Sequence, residues 1–175
     1  MTSLTLTLIG RDRPGLVRAI SERVAAAGGN WLESRMARLG GQFAGILLVE
    51  APAEAVGRLE EDLRGLEAEG LHVTVERGAA EEAAAARRSF MLELVGHDRP
   101  GIVKEIAEVL AARDVNIDEL ETEVVSGHFS GESLFKARAR LKVPDDVASE
   151  DLRQALETLA NELMVDISLD ADTTG

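Results

Sequence analysis

Two short stretches of this chain combine acidic and basic side chains with flanking glycines, a composition suited to binding a small charged molecule. They run Gly10-Arg11-Asp12-Arg13-Pro14-Gly15 and Gly96-His97-Asp98-Arg99-Pro100-Gly101. Glycine lets the backbone turn tightly and approach a ligand closely. A helix that starts at such a loop points free N–H groups at it, which suits a carboxylate, while the aspartate suits an ammonium group. A free amino acid is the simplest molecule that carries both charges.

A structural alternative exists for the same motif. Aspartate is favourable near a helix N-terminus, and the fixed φ of proline suits the first helical position, for which we expect Pro14 and Pro100. The side chains of Arg13 and Arg99 could reach a carboxylate or simply solvent. The motif alone therefore leaves ligand binding and helix capping both open.

The motif occurs twice because the chain contains two copies of one module. With a shift of 86 residues and no gaps, residues 4–45 match residues 90–131 at 17 of 42 positions. Unrelated segments would match at about one position in fifteen. We expect a first module over 1–77, a linker over 78–88, a second module over 89–171 and a tail over 172–175.

Each copy has the pattern of a βαββαβ module. Leu4, Leu6 and Leu8 alternate with polar residues, which indicates a half-buried strand, and apolar residues at helical spacing follow it. Two extended stretches come next in each copy and are expected to form a hairpin, with Gly40-Gly41 as its turn in the first copy. In the second copy we expect the return strand of this hairpin over 129–143. A second helix and a last strand complete each copy. The pattern predicts an α+β protein with two ferredoxin-like modules, each with an antiparallel sheet and its helices on one face.

Asn30 and Asn116 directly follow the first helix of each copy. Asparagine at a helix end is also an ordinary turn residue. A helix from Pro14 onward spans about 20 Å, so Asp12 and Asn30 cannot contact one ligand together within a module. If both serve one site, the asparagine comes from the other copy, which pairs Asp12 with Asn116 and Asp98 with Asn30.

Composition restricts the function further. A formal net charge of −13 repels a phosphate backbone and an anionic membrane, so we expect no direct nucleic-acid or membrane binding. The chain has no cysteine, which excludes disulfides and zinc–thiolate sites. The three histidines lack metal-ligand spacing, and no nucleophile–base pair or cofactor motif is readable, so we expect no metal, no cofactor and no enzyme activity. Neither a signal peptide nor a membrane span is apparent, and we expect a cytoplasmic protein.

The βαββαβ pattern, the Asp-Arg-Pro-Gly segment after the first strand and the asparagine after the helix resemble an ACT domain in both halves. This resemblance implies amino-acid binding at interfaces between paired modules, with glycine as the first candidate ligand. It also implies control of a partner transcription factor by protein contact, and pairing of modules between chains would give a homodimer. The implied ligand-binding residues are Gly10, Arg11, Asp12, Arg13, Gly15, Asn30, Gly96, His97, Asp98, Arg99, Gly101 and Asn116.

Two alternatives stay open at this point. The chain could be the regulatory subunit of a metabolic enzyme, or a scaffolding protein whose ligand sites are vestigial. The copies also differ, since His97 replaces Arg11, and Glu121 and Glu123 replace Arg35 and Ala37. The two sites therefore need not be equivalent.

Overall fold

The chain divides into two compact units, Met1–Glu82 and Ala83–Gly175, in a computed structural model that describes residues 1–78, 86–128 and 131–173. Most of the predicted linker (residues 79–85) and the end of the predicted tail (residues 174–175) lie outside the described residues. The first strand of the second unit begins at Arg87, inside the segment that we assign to the linker.

Residues 1–78 form a βαββαβ unit with two α-helices and four strands. The strands are β1 (Thr2–Arg11), β2 (Asn30–Leu39), β3 (Gln42–Ala51) and β4 (Leu71–Arg77). The helices are α1 (Leu16–Ala26) and α2 (Val56–Arg64). Short 3-10 turns at Ala53–Ala55 and Gly65–Glu69 flank α2, so the predicted second helix is a shorter α-helix with a tighter turn at each end.

The second unit repeats this order within residues 86–128 and 131–173. The strands are β5 (Arg87–His97), β6 (Asn116–Ser126), β7 (Ser133–Pro144) and β8 (Asp166–Ala171). The helices are α3 (Ile102–Ala111) and α4 (Ser149–Leu163).

The strand order is β2-β3-β1-β4 in the first sheet and β6-β7-β5-β8 in the second, and all neighbouring strands are antiparallel. The predicted α+β class with two ferredoxin-like modules is confirmed. In each sheet the strand before the first helix is an inner strand, paired with a neighbour on each side. This pairing fixes the position from which the following loop starts.

Each unit has its own hydrophobic core on the helix-bearing face of its sheet, and the core of the second unit includes Phe90 and Phe135. Leu4, Leu6 and Leu8 of β1 are buried there, as their alternation predicts, against Ile20 of α1 and Leu59 of α2. Burying each such side chain contributes about 1.5–3 kcal/mol. The cores therefore hold strand, loop and helix of each module in a fixed arrangement.

The helices begin two residues later than the prolines predict. The residue before each helix is a glycine in the left-handed conformation, Gly15 with φ 92° and Gly101 with φ 93°. Pro14 and Pro100 precede these glycines and lie in the turn rather than at the first helical position. The backbone thus enters each helix through a conformation that favours glycine.

The hairpin of the second module is longer than that of the first. Gly10 pairs with Phe43, and its counterpart Gly96 pairs with Phe135. Phe135 lies 92 residues after Phe43, against a shift of 86 between the strands before the hairpin turn, so the second hairpin has six extra residues. The ungapped sequence match therefore pairs Phe43 with the wrong residue, Phe129, which lies outside the described residues.

Candidate functional site

Gly10 and Gly96 lie inside strands and not in the loops. Gly10 pairs on both sides, with Phe43 of β3 and Leu71 of β4. A Cβ atom at Gly10 would lie 2.5 Å from the carbonyl oxygen of Gly70, and one at Gly96 would lie 2.2 Å from Cγ1 of Val165. Real Cβ atoms essentially never make contacts this short, so close packing against the residue before the last strand of each module explains both glycines without any ligand.

Gly15 and Gly101 have a different role, because their constraint is conformational. Their positive φ angles are strained for any residue with a side chain, yet a Cβ atom at Gly15 would meet nothing within 4 Å. No side chain of the described residues caps α1 or α3. The aspartates therefore form no capping hydrogen bond, and the first-turn N–H groups of α1 and α3 lack a side-chain cap.

Asp12 and Asp98 have the same backbone contact but different side-chain contacts. The N–H of Asp12 donates to the carbonyl oxygen of Gly41, and the N–H of Asp98 donates to that of Ser133, both at 2.9 Å. The Asp12 carboxylate lies 2.7 Å from Nε of Arg38 in β2. The Asp98 carboxylate forms no ion pair within the described part of the chain.

The sheet register explains this difference. Arg38 pairs with Phe43, which pairs with Gly10, while Val124 pairs with Phe135, which pairs with Gly96. Val124 therefore occupies the position of Arg38 in the second module, and a valine provides no cation for Asp98.

Three of the remaining charged residues of the two motifs contact groups of their own module. Arg13 donates through Nη2 to the carbonyl oxygen of Glu69 at 3.0 Å. Nη2 of Arg99 lies 3.5 Å from Oε1 of Glu105. Nδ1 of His97 lies 3.4 Å from Oε2 of Glu132. Arg11 ends β1 and is exposed.

The asparagines lie at the opposite end of each sheet from the loops. Asn30 pairs with Glu50 and Glu50 with Ser3, seven residues before Gly10 on β1, a separation of about 23 Å along the strand. Asn116 occupies the same position in the second sheet. The structure therefore brings neither asparagine to the loop of its own module.

The two asparagines also differ in their contacts. Nδ2 of Asn116 donates to Oδ1 of Asp118 at 2.8 Å. The exposed side chain of Asn30 forms no hydrogen bond within residues 1–78, 86–128 and 131–173. One aspartate and one asparagine are thus engaged locally, Asp12 and Asn116, and the other two, Asp98 and Asn30, are not.

Within residues 1–78, 86–128 and 131–173, no three acidic, histidine or cysteine side chains form a group that could hold a metal ion. Among the helices of the same ranges, none is long and apolar enough to cross a membrane.

Comparison with known proteins agrees with this architecture. The ACT domain family model matches residues 2–76 and 88–170. The glycine cleavage system transcriptional repressor of Escherichia coli (strain K12) is 26% identical over 162 residues, which cover 91% of this chain and 85% of the repressor. Its Shigella flexneri relative matches equally.

Two crystal structures resemble the whole chain. A protein of unknown function from Galdieria sulphuraria is 32% identical with a TM-score of 0.84, covering 98% of this chain and 99% of its own. A candidate glycine cleavage system transcriptional repressor is 22% identical with a TM-score of 0.70, covering 97% of this chain and 96% of its own, and shows the shared fold. With two matched copies that span most of its length, the chain belongs to the ACT domain family as a tandem ACT regulatory protein homologous to the glycine cleavage repressor.

Proposed function

We propose that this protein senses a small amino acid, with glycine as the first candidate, and controls a transcription factor by protein contact. Membership of the ACT family over both halves supports a regulatory role, and the homology to a glycine cleavage repressor supports the choice of ligand. The observation that carries the proposal is the loop at each helix start, where a left-handed glycine leaves first-turn N–H groups without a side-chain cap.

The proposed binding mode uses both charges of the ligand. The ligand carboxylate accepts hydrogen bonds from N–H groups at the start of α1 or α3, where the helix dipole also favours a negative charge. The aspartate of the same loop holds the ammonium group, and an asparagine from the other copy completes the site. This mode pairs Asp98 with Asn30 and Asp12 with Asn116.

The two proposed sites differ in readiness. Within the described residues, the side chains of Asp98 and Asn30 form no ion pair or hydrogen bond that a ligand would have to displace. Asp12 must give up part of its contact with Arg38, and Asn116 must give up its hydrogen bond to Asp118. We therefore expect the Asp98–Asn30 site to bind more tightly.

Regulation then follows from linkage. A ligand that bridges two modules stabilises the arrangement in which both contribute, by the difference in its affinity for the two arrangements. A coupling of about 1–3 kcal/mol is enough for a useful switch. The net charge of −13 opposes direct DNA binding and supports control through a protein partner.

The test is isothermal titration calorimetry of the protein against each of the twenty amino acids, with thermal melting in parallel. We expect saturable heat and a raised melting temperature with glycine or another small amino acid. An absence of both at millimolar ligand would contradict the proposal and favour a scaffolding protein. Pull-down with and without the ligand then separates a transcription factor from a metabolic enzyme as the partner.

A further inference from the structure

The face of the first sheet opposite its helices, here called the first open face, has an apolar centre. Its middle strands present Ile9 of β1 and Ala44, Ile46 and Leu48 of β3. Ile46 is 57% exposed and Ile9 is 49% exposed. Thr5 and Thr7 of β1 lie between them, so no charged side chain stands at the centre of this face.

The equivalent face of the second sheet is strongly polar at the same positions. By register, four cationic residues of β7 replace Ala44, Ile46, Leu48 and Glu50 of β3. These cations are Lys136, Arg138, Arg140 and Lys142.

Acidic residues lie beside these cations on the neighbouring strands. Arg138 lies 3.6 Å from Glu93, and Arg140 lies 3.1 Å from Glu119. Two copies of one module have thus diverged at one surface, toward charge pairs in the second and toward aliphatic side chains in the first. Removing this charged surface from water would be costly, whereas removing the aliphatic one is favourable.

The charge of the first open face is small for this chain. It has two arginines and three glutamates, a formal charge of −1 against −13 for the whole chain. Arg35 also lies 2.5 Å from Glu33 on the same strand. Two copies that repel each other over most of their surface can therefore approach through this face.

The size of the face fits a second copy of the chain. Four strands about 4.8 Å apart and nine residues long give roughly 600 Å². Two such faces together bury about 1,200 Å², the lower bound for a specific interface. In a two-fold pairing Ile46, Ile9 and Leu48 would pack on the same residues of the partner, as in aligned sheet packing.

We infer that the first open face is the interface of a homodimer, in which the first modules of two chains pack sheet against sheet about a two-fold axis. The inference rests on the aliphatic centre of this face, whereas the proposed amino-acid sites rest on the loops and the asparagines, of which Arg11 and Asn30 lie at the ends of the same face.

Sedimentation and light scattering of the full chain test the inference. Wild type is expected at twice the 18.7 kDa chain mass. Ile46→Arg introduces the residue type that Arg138 provides at the same position of the second sheet, so the fold should tolerate it while the dimer dissociates at least tenfold more readily. Val103→Lys, at a 41% exposed valine on α3, is the matched control and should remain dimeric. A wild-type monomer would overturn the inference and would favour a different protein as the partner of this face. A dimer that Ile46→Arg leaves unchanged would also overturn it.

Cross-linking gives a second readout that does not depend on the stability of the Ile46 variant. The chain has no cysteine, so Thr7→Cys places a single thiol at the centre of the face. A short bis-maleimide that spans the ~10 Å between packed sheets should join two chains at this position. Val103→Cys should give no joined chains. Equal yields from the two variants would also overturn the inference.

Discussion

Nε of Arg38 lies 2.7 Å from Oδ2 of Asp12, and the equivalent register position beside Asp98 is held by Val124. One loop acid is therefore neutralised by its own module and the other is not. Since the proposed site needs the aspartate to hold an ammonium group, we expect this substitution between the copies to contribute to their order of binding.

Exchanging the two residues should reverse that order. Arg38→Val frees Asp12 and should tighten binding at the first loop, while Val124→Arg supplies a cation to Asp98 and should weaken binding at the second. An exposed ion pair is worth up to about 1 kcal/mol, so each change in Kd should be up to about fivefold. Calorimetric titration of both variants measures these shifts. Unchanged dissociation constants in both variants would show that neither aspartate contacts the ligand.

Alanine substitutions at two glycines of the first module should distinguish a glycine required by close packing from one that only weakens a helix. Gly10→Ala forces a Cβ atom against the carbonyl oxygen of Gly70 and should lower the free energy of unfolding by about 1–3 kcal/mol. Gly57→Ala, on α2 with nothing within 4 Å of its Cβ, is the control and should raise it by about 0.5–1 kcal/mol. Urea unfolding of both variants measures the difference. A neutral Gly10→Ala would refute close packing as the reason for this glycine.

The pair of Glu60 on α2 and Arg77 on β4 should give a pH-dependent stability. The Arg77 guanidinium donates hydrogen bonds to the Glu60 carboxylate at 2.9 and 3.2 Å and lowers the pKa of Glu60 below its ordinary 4.5. A lowered carboxyl pKa stabilises the fold above the ordinary pKa, and this contribution is lost as pH falls through the lowered value.

Melting temperatures of wild type and Arg77→Leu, followed from neutral to acidic pH, measure this contribution. Wild type should melt slightly higher at neutral pH, and the gap should close below the ordinary Glu pKa. Because the guanidinium is exposed, the gap should be small and should shrink with salt. A gap that persists in acid would assign the stabilisation to packing of the Arg77 side chain.

The sequence was sufficient to predict the module, because Leu4, Leu6 and Leu8 alternate on the buried strand and the duplication repeats every element. A longer return strand was expected in the second hairpin, but its register was missed, since an ungapped match aligned Phe43 with Phe129, whereas the sheet register makes Phe135 the equivalent of Phe43. Turn residues in a sequence do not by themselves determine which residues of the two strands pair.

The residue types of the candidate loops could be read from the sequence, but their contacts could not. The loop aspartates and their glycines were identified from the repeated motif, yet the reason for Gly10 is a backbone contact sixty residues away along the chain. The partner of Asp12 was also missed, because Arg38 approaches it only through the pairing of β2 with β3. The register of the Gly40-Gly41 hairpin was the signal that could have located it.

The most direct test is calorimetric titration of four single variants, Asp98→Ala, Asn30→Ala, Asp12→Ala and Asn116→Ala, with the amino acid that binds wild type. Two binding events are expected for wild type. Asp98→Ala and Asn30→Ala should both abolish the tighter event, and Asp12→Ala and Asn116→Ala should both abolish the weaker one. Loss of different events by Asp98→Ala and Asn30→Ala would contradict the pairing of a loop from one module with the asparagine of the other.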